Sequence, residues 1–255
     1  MKLGECRRQC VSASYQISAA QDEFIVALAG NPNVGKSTIF NALTGNHQHT
    51  GNWAGKTVID AQGRFEWLGK RFVLVDLPGT YSLRARQAEE AVARDFICFG
   101  RPDAVIVVAD ASCLARNLVL LLQVMEISER VILCVNLLDE AKKNGISVNL
   151  LRLEEILRLS VVGTSARCKE GLYELKNVLV RVCDEGTVRR PRMGLYSSAV
   201  ETAVEKLLPY AERAAGGRFD ARWLALRALE EDRDCIRKVQ RMMISGGNGG
   251  KVRER

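Results

Sequence analysis

The 255-residue chain has few aromatic residues, few prolines and no long apolar run. Aromatic side chains make up 6% of it, and it contains five prolines and two histidines. Apolar runs such as 104–109 and 118–122 are far shorter than the roughly 20 residues that a membrane-spanning helix needs. Residues 2–14 are polar and lack the apolar segment of a secretory signal peptide. We therefore expect a chain that folds in water.

Acidic residues are outnumbered, since 37 lysines and arginines face 30 aspartates and glutamates, a formal net charge of +7. Basic residues cluster at 7–8, 189–192 and 251–255. Such clusters can bind nucleic acid or an anionic membrane surface. No aromatic side chains alternate with them, as they do in single-strand-binding surfaces. We therefore expect solvated ends and linkers, and no nucleic acid as a partner.

Cysteine is plentiful, with eight residues, but its pattern favours reduced thiols over a disulfide framework. Cys6 and Cys10 could lie one helical turn apart, and His47 and His49 add two further candidate metal ligands. No second cysteine pair completes a ligand set, so a metal site here remains an open question. Four cysteines lie in apolar sequence and are expected to be buried: Cys98, Cys113, Cys134 and Cys183.

Residues 30–37 have the pattern G-x-x-x-x-G-K-S, the phosphate-binding loop of nucleotide-binding proteins. An apolar run typical of a buried strand precedes it, and apolar residues at helical spacing follow it. Backbone N–H groups of such a loop bind phosphate oxygens. We expect Lys36 to reach the β- and γ-phosphates and the Ser37 hydroxyl to bind Mg²⁺. Nucleotide contacts are expected from Asn31, Asn33, Val34, Gly35, Lys36, Ser37 and Thr38.

A D-x-x-G motif, Asp76 to Gly79, follows the apolar run 72–75. An aspartate at this position can hold a magnesium-bound water, and the Gly79 N–H can point at the γ-phosphate. The preceding segment, 45–58, is rich in Gly, Asn, His and Thr, and lies where a switch loop belongs. We expect Thr57 to close on Mg²⁺ and the γ-phosphate.

Base recognition is expected from two further motifs. Asn136 and Asp139 form N-x-x-D after the apolar run 131–135. An aspartate here accepts hydrogen bonds from the guanine N1–H and 2-amino groups, and adenine would leave it unpaired at a cost of about 1–3 kcal/mol. Leu137 replaces the usual lysine, which leaves selectivity between GTP and ATP open. The loop Ser165, Ala166 and Arg167 resembles the S-A-K loop whose backbone N–H contacts guanine O6.

These motifs, in this order, predict an α/β fold of the Ras-like P-loop GTPase class. We expect a mostly parallel six-stranded sheet with helices on both faces and one antiparallel edge hairpin around residues 68–70. Strand patterns occupy 24–29, 57–67, 72–75, 104–109, 131–135 and 160–162, and helical patterns occupy 88–98, 114–125, 150–157 and 172–183.

The pattern changes after residue 186, where a basic linker leads to a small all-α domain. Two apolar stripes predict helices at 198–215 and 221–243. The predicted organisation is an N-terminal extension at 1–22, a GTP-binding G-domain at 23–186, a helical domain at 187–245 and a flexible tail at 246–255.

Four stretches together resemble the cytosolic G-domain of FeoB, the bacterial ferrous-iron transporter family. They are GNPNVGKSTIFNALT at 30–44, GNWAGKTV at 51–58, DLPGTYSL at 76–83 and EEAVARDF at 89–96. Tyr196 and the run 222–227 resemble the helical domain of that family. The resemblance implies a slow, magnesium-dependent GTPase that couples its nucleotide state to Fe(II) uptake through a transmembrane part of the same polypeptide. It also implies the cytoplasmic face of the bacterial inner membrane as the location, and accessory Feo proteins or further copies of the chain as partners.

Thr80 stands where Ras-like enzymes carry the glutamine that orients the attacking water. Related GTPases with an asparagine at the position of Asn33 use it to coordinate K⁺. This resemblance implies a K⁺ site made by Asn33 and the switch-loop residues Gly51, Asn52 and Trp53. The residues expected to carry catalysis are Lys36, Thr57, Gly79 and Asn33.

Two alternatives stay open at this point. A soluble, potassium-activated GTPase of ribosome or RNA maturation would share the same core, although the appended helices match no RNA-binding module. A nucleotide-dependent docking module whose slow hydrolysis is only a timer would also carry these motifs.

Overall fold

The computed structural model describes residues 19–20, 22–45, 61–84, 87–184, 196–216 and 219–246, with side chains up to 241. The chain divides into two compact units, Met1–Met193 and Gly194–Arg255. The border predicted at residue 186 lies outside the described residues, as do residues 1–18 of the predicted extension and 247–255 of the predicted tail.

A six-stranded sheet in the order β2-β3-β1-β4-β5-β6 forms the centre of the first unit. Only the edge pair β2 and β3 is antiparallel, and the other neighbouring strands run parallel. Leu68 and Gly69 close that hairpin with φ angles of 48° and 73°, as a two-residue primed turn requires. The predicted fold class is confirmed. The strands are β1 (Glu23–Gly30), β2 (Ala61–Trp67), β3 (Lys70–Asp76), β4 (Ala104–Asp110), β5 (Val131–Asn136) and β6 (Ser160–Gly163).

Helices cover both faces of the sheet. Successive residues of each strand point to opposite sides, and because the buried strands carry apolar residues on both sides, both faces of the sheet must be covered. Ile25 and Ala27 of β1 belong to one core cluster, and Val26 and Leu28 to the other. The helices are α1 (Lys36–Thr44), α2 (Ala88–Asp95), α3 (Leu114–Ile127), α4 (Leu138–Lys143), α5 (Leu150–Leu157) and α6 (Leu172–Asp184), with a π-helical turn at Phe96–Gly100 and 3₁₀ turns at Ala111–Cys113 and Ala166–Cys168.

Three details of the first unit differ from the predictions. The short helix α4 is not among the predicted helices, and the helix predicted over 88–98 gives way to the π-helical turn after Asp95. Cys113 is exposed at the start of α3, whereas Cys98, Cys134 and Cys183 are buried as expected. Residues 61–67 of the strand predicted over 57–67 form β2, and residues 57–60 lie outside the described residues.

The second unit contains α7 (Ser198–Ala215), α8 (Ala221–Leu229) and α9 (Arg233–Gly246). The single helix predicted over 221–243 is therefore wrong. Glu231 has a φ of 55°, which interrupts the helix, and the Asp232 carboxylate accepts a hydrogen bond from the Cys235 N–H at 3.0 Å to cap the next one. Arg222 of α8 joins Glu201 of α7 through two hydrogen bonds of 2.8 Å.

Among the helices in the described ranges, none is long and apolar enough to span a membrane. Over the same ranges, no group of three or more His, Cys, Asp or Glu side chains is arranged to hold a metal ion. The metal question raised by Cys6, Cys10, His47 and His49 falls outside these ranges.

Candidate nucleotide site

The predicted motifs meet at one edge of the sheet. The phosphate-binding loop follows β1, the D-x-x-G motif follows β3, the N-x-x-D motif begins at the end of β5, and the S-A-x loop follows β6. These four strands run parallel, so their carboxyl ends lie along the same edge. The topology therefore brings together residues that are up to about 130 positions apart in the sequence.

The phosphate-binding loop has a backbone conformation that few side chains allow. Asn33 and Gly35 have φ angles of 66° and 81°, in the left-handed region. A Cβ atom on Gly35 would lie 2.4 Å from the Asn136 Nδ2 atom, so a side chain there is excluded by contact as well as by conformation. A Cβ atom on Gly30 would lie 2.7 Å from the Val108 carbonyl oxygen. Both outer glycines of the motif are therefore required by the packing around them.

The loop presents Asn33, Ser37 and Thr38 as exposed residues, whereas Lys36 is buried. The Lys36 ammonium group forms an ion pair with the Asp76 carboxylate, and both side chains are less than one tenth exposed. The cation expected to bind phosphate and the carboxylate expected to serve the metal therefore meet at one point. The hydroxyl of Ser37 and the carboxylate of Asp76 are hard oxygen ligands of the kind that Mg²⁺ prefers.

Asn31, the second residue of the loop, is only 3% exposed. Its side-chain oxygen Oδ1 makes no hydrogen bond to any described residue. A buried amide oxygen without a partner normally costs about 1–3 kcal/mol. The loop therefore contains a buried hydrogen-bond acceptor that no described residue satisfies.

The D-x-x-G turn packs directly on the phosphate-binding loop. A Cβ atom on Gly79 would lie 3.3 Å from the Pro32 backbone, which is why a residue without a side chain fits here. The Thr80 N–H donates to the Gly30 carbonyl at 3.1 Å. The Thr80 hydroxyl donates to the Ser82 carbonyl at 2.7 Å, and the residue is 3% exposed. The Thr80 side chain, which occupies the position of the Ras glutamine, is therefore engaged in a hydrogen bond within its own turn.

Asn136 connects the base end of the site to the phosphate end. Its amide nitrogen donates to the Val34 carbonyl at 3.0 Å, and its amide oxygen accepts from the Thr164 hydroxyl at 3.0 Å and the Ala166 N–H at 3.1 Å. The residue is 1% exposed, so these hydrogen bonds are shielded from water. One buried side chain thus fixes the phosphate-binding loop and the S-A-x loop relative to each other.

Asp139 lies in the first turn of α4, and its backbone N–H donates to the Ser165 hydroxyl at 3.1 Å. The residue is half-buried. Leu137, in place of the lysine, has a φ of 63° and is also half-buried. Its Cδ2 atom lies 3.8 Å from the position of a Cβ on Gly35, so this apolar side chain lies beside the phosphate-binding loop.

Below Asn136, the Cys134 thiol lies 3.3 Å from the Thr164 hydroxyl. Burial raises the pKa of Cys134 to about 12, although the contact with Thr164 lowers it slightly. The thiol is therefore protonated at neutral pH, and it serves as a small packing group beneath the base end of the site.

The structure brings together predicted residues from four strand ends but does not describe all of the predicted site residues. Gly51, Asn52, Trp53 and Thr57 lie outside the described residues. Arg167 is exposed at the rim. Thr164 is a residue that the sequence reasoning missed, although its position directly before the S-A-x loop is a usable signal. Gln123 is another, because its side-chain oxygen accepts a hydrogen bond from the Leu83 N–H, four residues after Gly79, and nothing in its local sequence indicates this contact.

Comparison with known proteins agrees with this geometry. The family model described as Ferrous iron transport protein B matches residues 24–179, and that of the FeoB cytosolic helical domain matches residues 196–252. The Fe(2+) transporter FeoB of Methanocaldococcus jannaschii is 42% identical over 211 residues, which are 82% of this chain and 31% of that protein. The chain spans about 26% to 31% of the length of the curated FeoB relatives that it matches.

Solved structures of FeoB cytosolic domains are similar to this chain over about nine tenths of its length. The cytosolic domain of the FeoB iron transporter of T. maritima in its apo form has a TM-score of 0.77 and 37% identity, covering 91% of this chain and 89% of that one. Its GMPPNP form has a TM-score of 0.76 and 37% identity, covering 90% and 88%. Together with the two family models, which cover both units, these similarities mean that the chain belongs to the FeoB family.

Proposed function

We propose that this chain binds GTP with Mg²⁺ and hydrolyses it to GDP and phosphate, as the nucleotide switch of a ferrous-iron transporter. The observation that carries the proposal is the joining of the motifs at one sheet edge. Asn136 binds both Val34 and Ala166, and Gly79 packs on Pro32. The groups for phosphate, metal and base are thereby held as a single site.

At the phosphate end, Lys36 is the group for the β- and γ-phosphates, and the Gly79 N–H is a donor to the γ-phosphate. Ser37 and Asp76 would hold Mg²⁺, directly or through water, with Thr57 from the switch loop. When bound, the metal neutralises charge on the phosphate oxygens. Because Lys36 pairs with Asp76 in this structure, binding of the nucleotide and metal exchanges that ion pair for contacts with phosphate and Mg²⁺.

At the base end, we assign guanine recognition to Asp139, with Asn136, Ser165, Ala166 and Arg167 around it. The carboxylate accepts two hydrogen bonds from guanine that adenine cannot donate. Leu137 offers the base an apolar contact where other GTPases offer a lysine side chain.

We assign a potassium ion to Asn33, with backbone oxygens of Gly51, Asn52 and Trp53. Its charge would substitute for the water-positioning and charge-stabilising groups that Thr80 does not supply. The support is the exposed Asn33 side chain on a left-handed loop residue. Support also comes from the engagement of Thr80 within its own turn.

The hydrolytic step is tested by measuring GTP turnover with Mg²⁺ in potassium and in sodium buffers. We expect a low basal rate that potassium raises about tenfold, and loss of that stimulation in Asn33→Ala. Asn149→Ala is a matched control, since Asn149 only caps α5. Equal rates in both salts would contradict the potassium assignment, and absence of turnover at saturating GTP would contradict the hydrolase assignment and favour a docking module.

Coupling to iron is the wider part of the proposal. The relatives are named as Fe(2+) transporters, and the second unit matches the FeoB cytosolic helical domain. We propose that this chain acts at the cytoplasmic face of the bacterial inner membrane, attached to a transmembrane iron permease in the same polypeptide. Accessory Feo proteins and further copies of the chain are proposed partners. The match of both units to one family does not favour a soluble GTPase of RNA maturation.

The coupling is tested with the full-length polypeptide in membrane vesicles loaded with GTP. We expect uptake of Fe(II) in the unmodified protein and strongly reduced uptake in Lys36→Ala, with Lys70→Ala as the control lysine. Lys70 pairs with Asp184 at the exposed end of the hairpin. Equal uptake by all three proteins would show that iron transport does not depend on this nucleotide site.

A further inference from the structure

The segment that follows the D-x-x-G motif, Thr80–Leu83, is attached to α3. The backbone N–H of Leu83 donates to the Gln123 side-chain oxygen at 2.6 Å. The Leu83 side chain is 2% exposed and belongs to the hydrophobic core. About two helical turns earlier on α3, the Arg116 guanidinium lies 4.3 Å from the centre of the Tyr81 ring. The segment is therefore held by a hydrogen bond, by burial and by a cation–π contact.

The other end of the same turn is fixed to the sheet and to the phosphate-binding loop. The Leu77 N–H donates to the Leu28 carbonyl at 3.0 Å, and the Thr80 N–H donates to the Gly30 carbonyl at 3.1 Å. Gly79 lies between these two hydrogen bonds, and the Gln123 contact at Leu83 holds the chain three residues beyond Thr80. The turn around Gly79 is thus held by β1, and the segment that leaves the turn is held by α3.

We propose that Gln123 is a positioning residue for GTP hydrolysis. By holding the Leu83 N–H, it fixes the D-x-x-G turn so that the Gly79 N–H meets the γ-phosphate as charge develops on it. This inference rests on the proposed function of the site. Gln123 acts on the site only by holding the turn, and so it is not a catalytic residue.

The physical reason is preorganisation. A donor stabilises a transition state only if it is already in place when the reaction occurs, and a displacement of about 1 Å can cost roughly 100-fold in rate. Thr80 directs its hydroxyl to Ser82, so the side chain after Gly79 does not orient water. More of the rate then depends on the turn backbone, which makes its attachment to α3 important.

The chemistry of the contact gives a clear set of variants. Gln123 is half-buried and acts through one side-chain oxygen that accepts a hydrogen bond. Glutamate has an acceptor oxygen at the same distance from the backbone, whereas leucine has a similar size and no acceptor. Gln123→Glu should therefore keep the hydrogen bond, and Gln123→Leu should lose it. Val119→Ala is a control on the same helix, since Val119 is 50% exposed.

The experiment measures single-turnover GTP hydrolysis at saturating nucleotide, the dissociation constant for GDP and the midpoint of thermal unfolding for each protein. We expect Gln123→Leu to hydrolyse GTP about tenfold or more slowly, with GDP affinity changed less than about threefold. Gln123→Glu and Val119→Ala should stay within about threefold of the unmodified rate. The separation of rate from affinity, together with the recovery in Gln123→Glu, distinguishes positioning from general support of the fold.

An unchanged rate in Gln123→Leu would overturn the inference. So would a loss of GDP affinity as large as the loss of rate, or an unfolding midpoint below the assay temperature in both Gln123 variants. An unmodified chain that binds GDP but does not hydrolyse GTP would instead overturn the proposed function on which the inference depends.

Discussion

The two ends of the nucleotide site are built in different ways. At the phosphate end, the backbone of the loop makes the site, with Gly35 in a left-handed conformation and polar residues such as Ser37 exposed. At the base end, side chains hold one another, and Asn136 makes hydrogen bonds to three groups while being 1% exposed. One end depends on chain conformation and the other on a buried hydrogen-bond network.

This difference teaches where a substitution should act. A change in an exposed residue of the phosphate end should alter ligand contacts and leave the fold intact. A substitution that removes or displaces the Asn136 side chain should affect both ends, because its amide nitrogen donates to the Val34 carbonyl in the phosphate-binding loop.

The largest effect is expected where the two ends touch, at Gly35. Gly35→Ala combines a left-handed φ with a 2.4 Å approach to the Asn136 amide, and should lower the free energy of unfolding by about 2–5 kcal/mol. Gly69→Ala is the matched control. Gly69 has a φ of 73° but nothing within 4 Å of its Cβ position, so only the conformational cost of about 1 kcal/mol applies. Equal costs in urea unfolding would contradict the close contact with Asn136.

Lys36→Ala should weaken GTP binding by about tenfold to 100-fold, because a charged hydrogen-bond donor to phosphate contributes about 1.5–3 kcal/mol. It also leaves the buried Asp76 carboxylate without its lysine partner. Guanosine, which has no phosphates, should bind the variant as it binds the unmodified protein. Calorimetric titration of both ligands checks this. A loss that is equal for guanosine and GTP would show that Lys36 supports the whole site rather than its phosphate end.

Asp139→Asn tests the base end alone. It should weaken GTP binding by about tenfold or more and favour xanthosine triphosphate, whose base presents an oxygen in place of the 2-amino group. Asn136 and Val34 should remain in contact, so the free energy of unfolding should change by less than about 1 kcal/mol. Nucleotide competition and urea unfolding measure the two quantities. Unchanged preference for GTP would remove Asp139 from base recognition.

The smallest effect concerns pH and the buried thiols. Burial raises the pKa of Cys134 to about 12 and that of Cys183 to about 12, above the ordinary value of 9.0. The folded state therefore binds these protons more tightly than the unfolded state. The contribution of this tighter proton binding to the free energy of unfolding is fully present below pH 9 and declines as pH rises from about 9 towards 12.

At pH 10 this decline should amount to about 1 kcal/mol for each thiol, measured by urea unfolding at pH 8.5 and pH 10. Cys134→Ala should show a smaller decline than the unmodified chain. Cys168→Ala is the control, because Cys168 is exposed. Identical pH dependence in all three proteins would show that the Cys134 thiol is not as strongly desolvated as the structure indicates.

Much of the fold and site was predictable because each motif sits at the end of an apolar strand. The runs 24–29, 104–109 and 131–135 fall within β1, β4 and β5, and parallel strands place their carboxyl ends at one edge. The residues Lys36, Asp76, Asn136 and Ser165 follow from that arrangement. The fold class, which the structure confirms, could thus be predicted from the order of the strands and the positions of the motifs.

Features that depend on tertiary contacts were not predictable. Helix α4 has six residues, too few to show a helical period, and the break between α8 and α9 depends on an Asp232 cap within an otherwise continuous apolar stripe. Cys113 lies in apolar sequence yet is exposed, in the 3₁₀ turn that precedes α3. Gln123 contacts Leu83 from 40 residues away, a distance at which local sequence carries no signal.

The most direct test of the account is competition of GTP and ATP for the purified, unmodified chain, using displacement of a fluorescent GDP analogue in the presence of Mg²⁺. We expect ATP to compete at least about tenfold more weakly than GTP, because adenine leaves the Asp139 carboxylate unpaired. Comparable affinities for the two nucleotides would contradict the assignment of Asp139 and the conclusion that this is a guanine-nucleotide site.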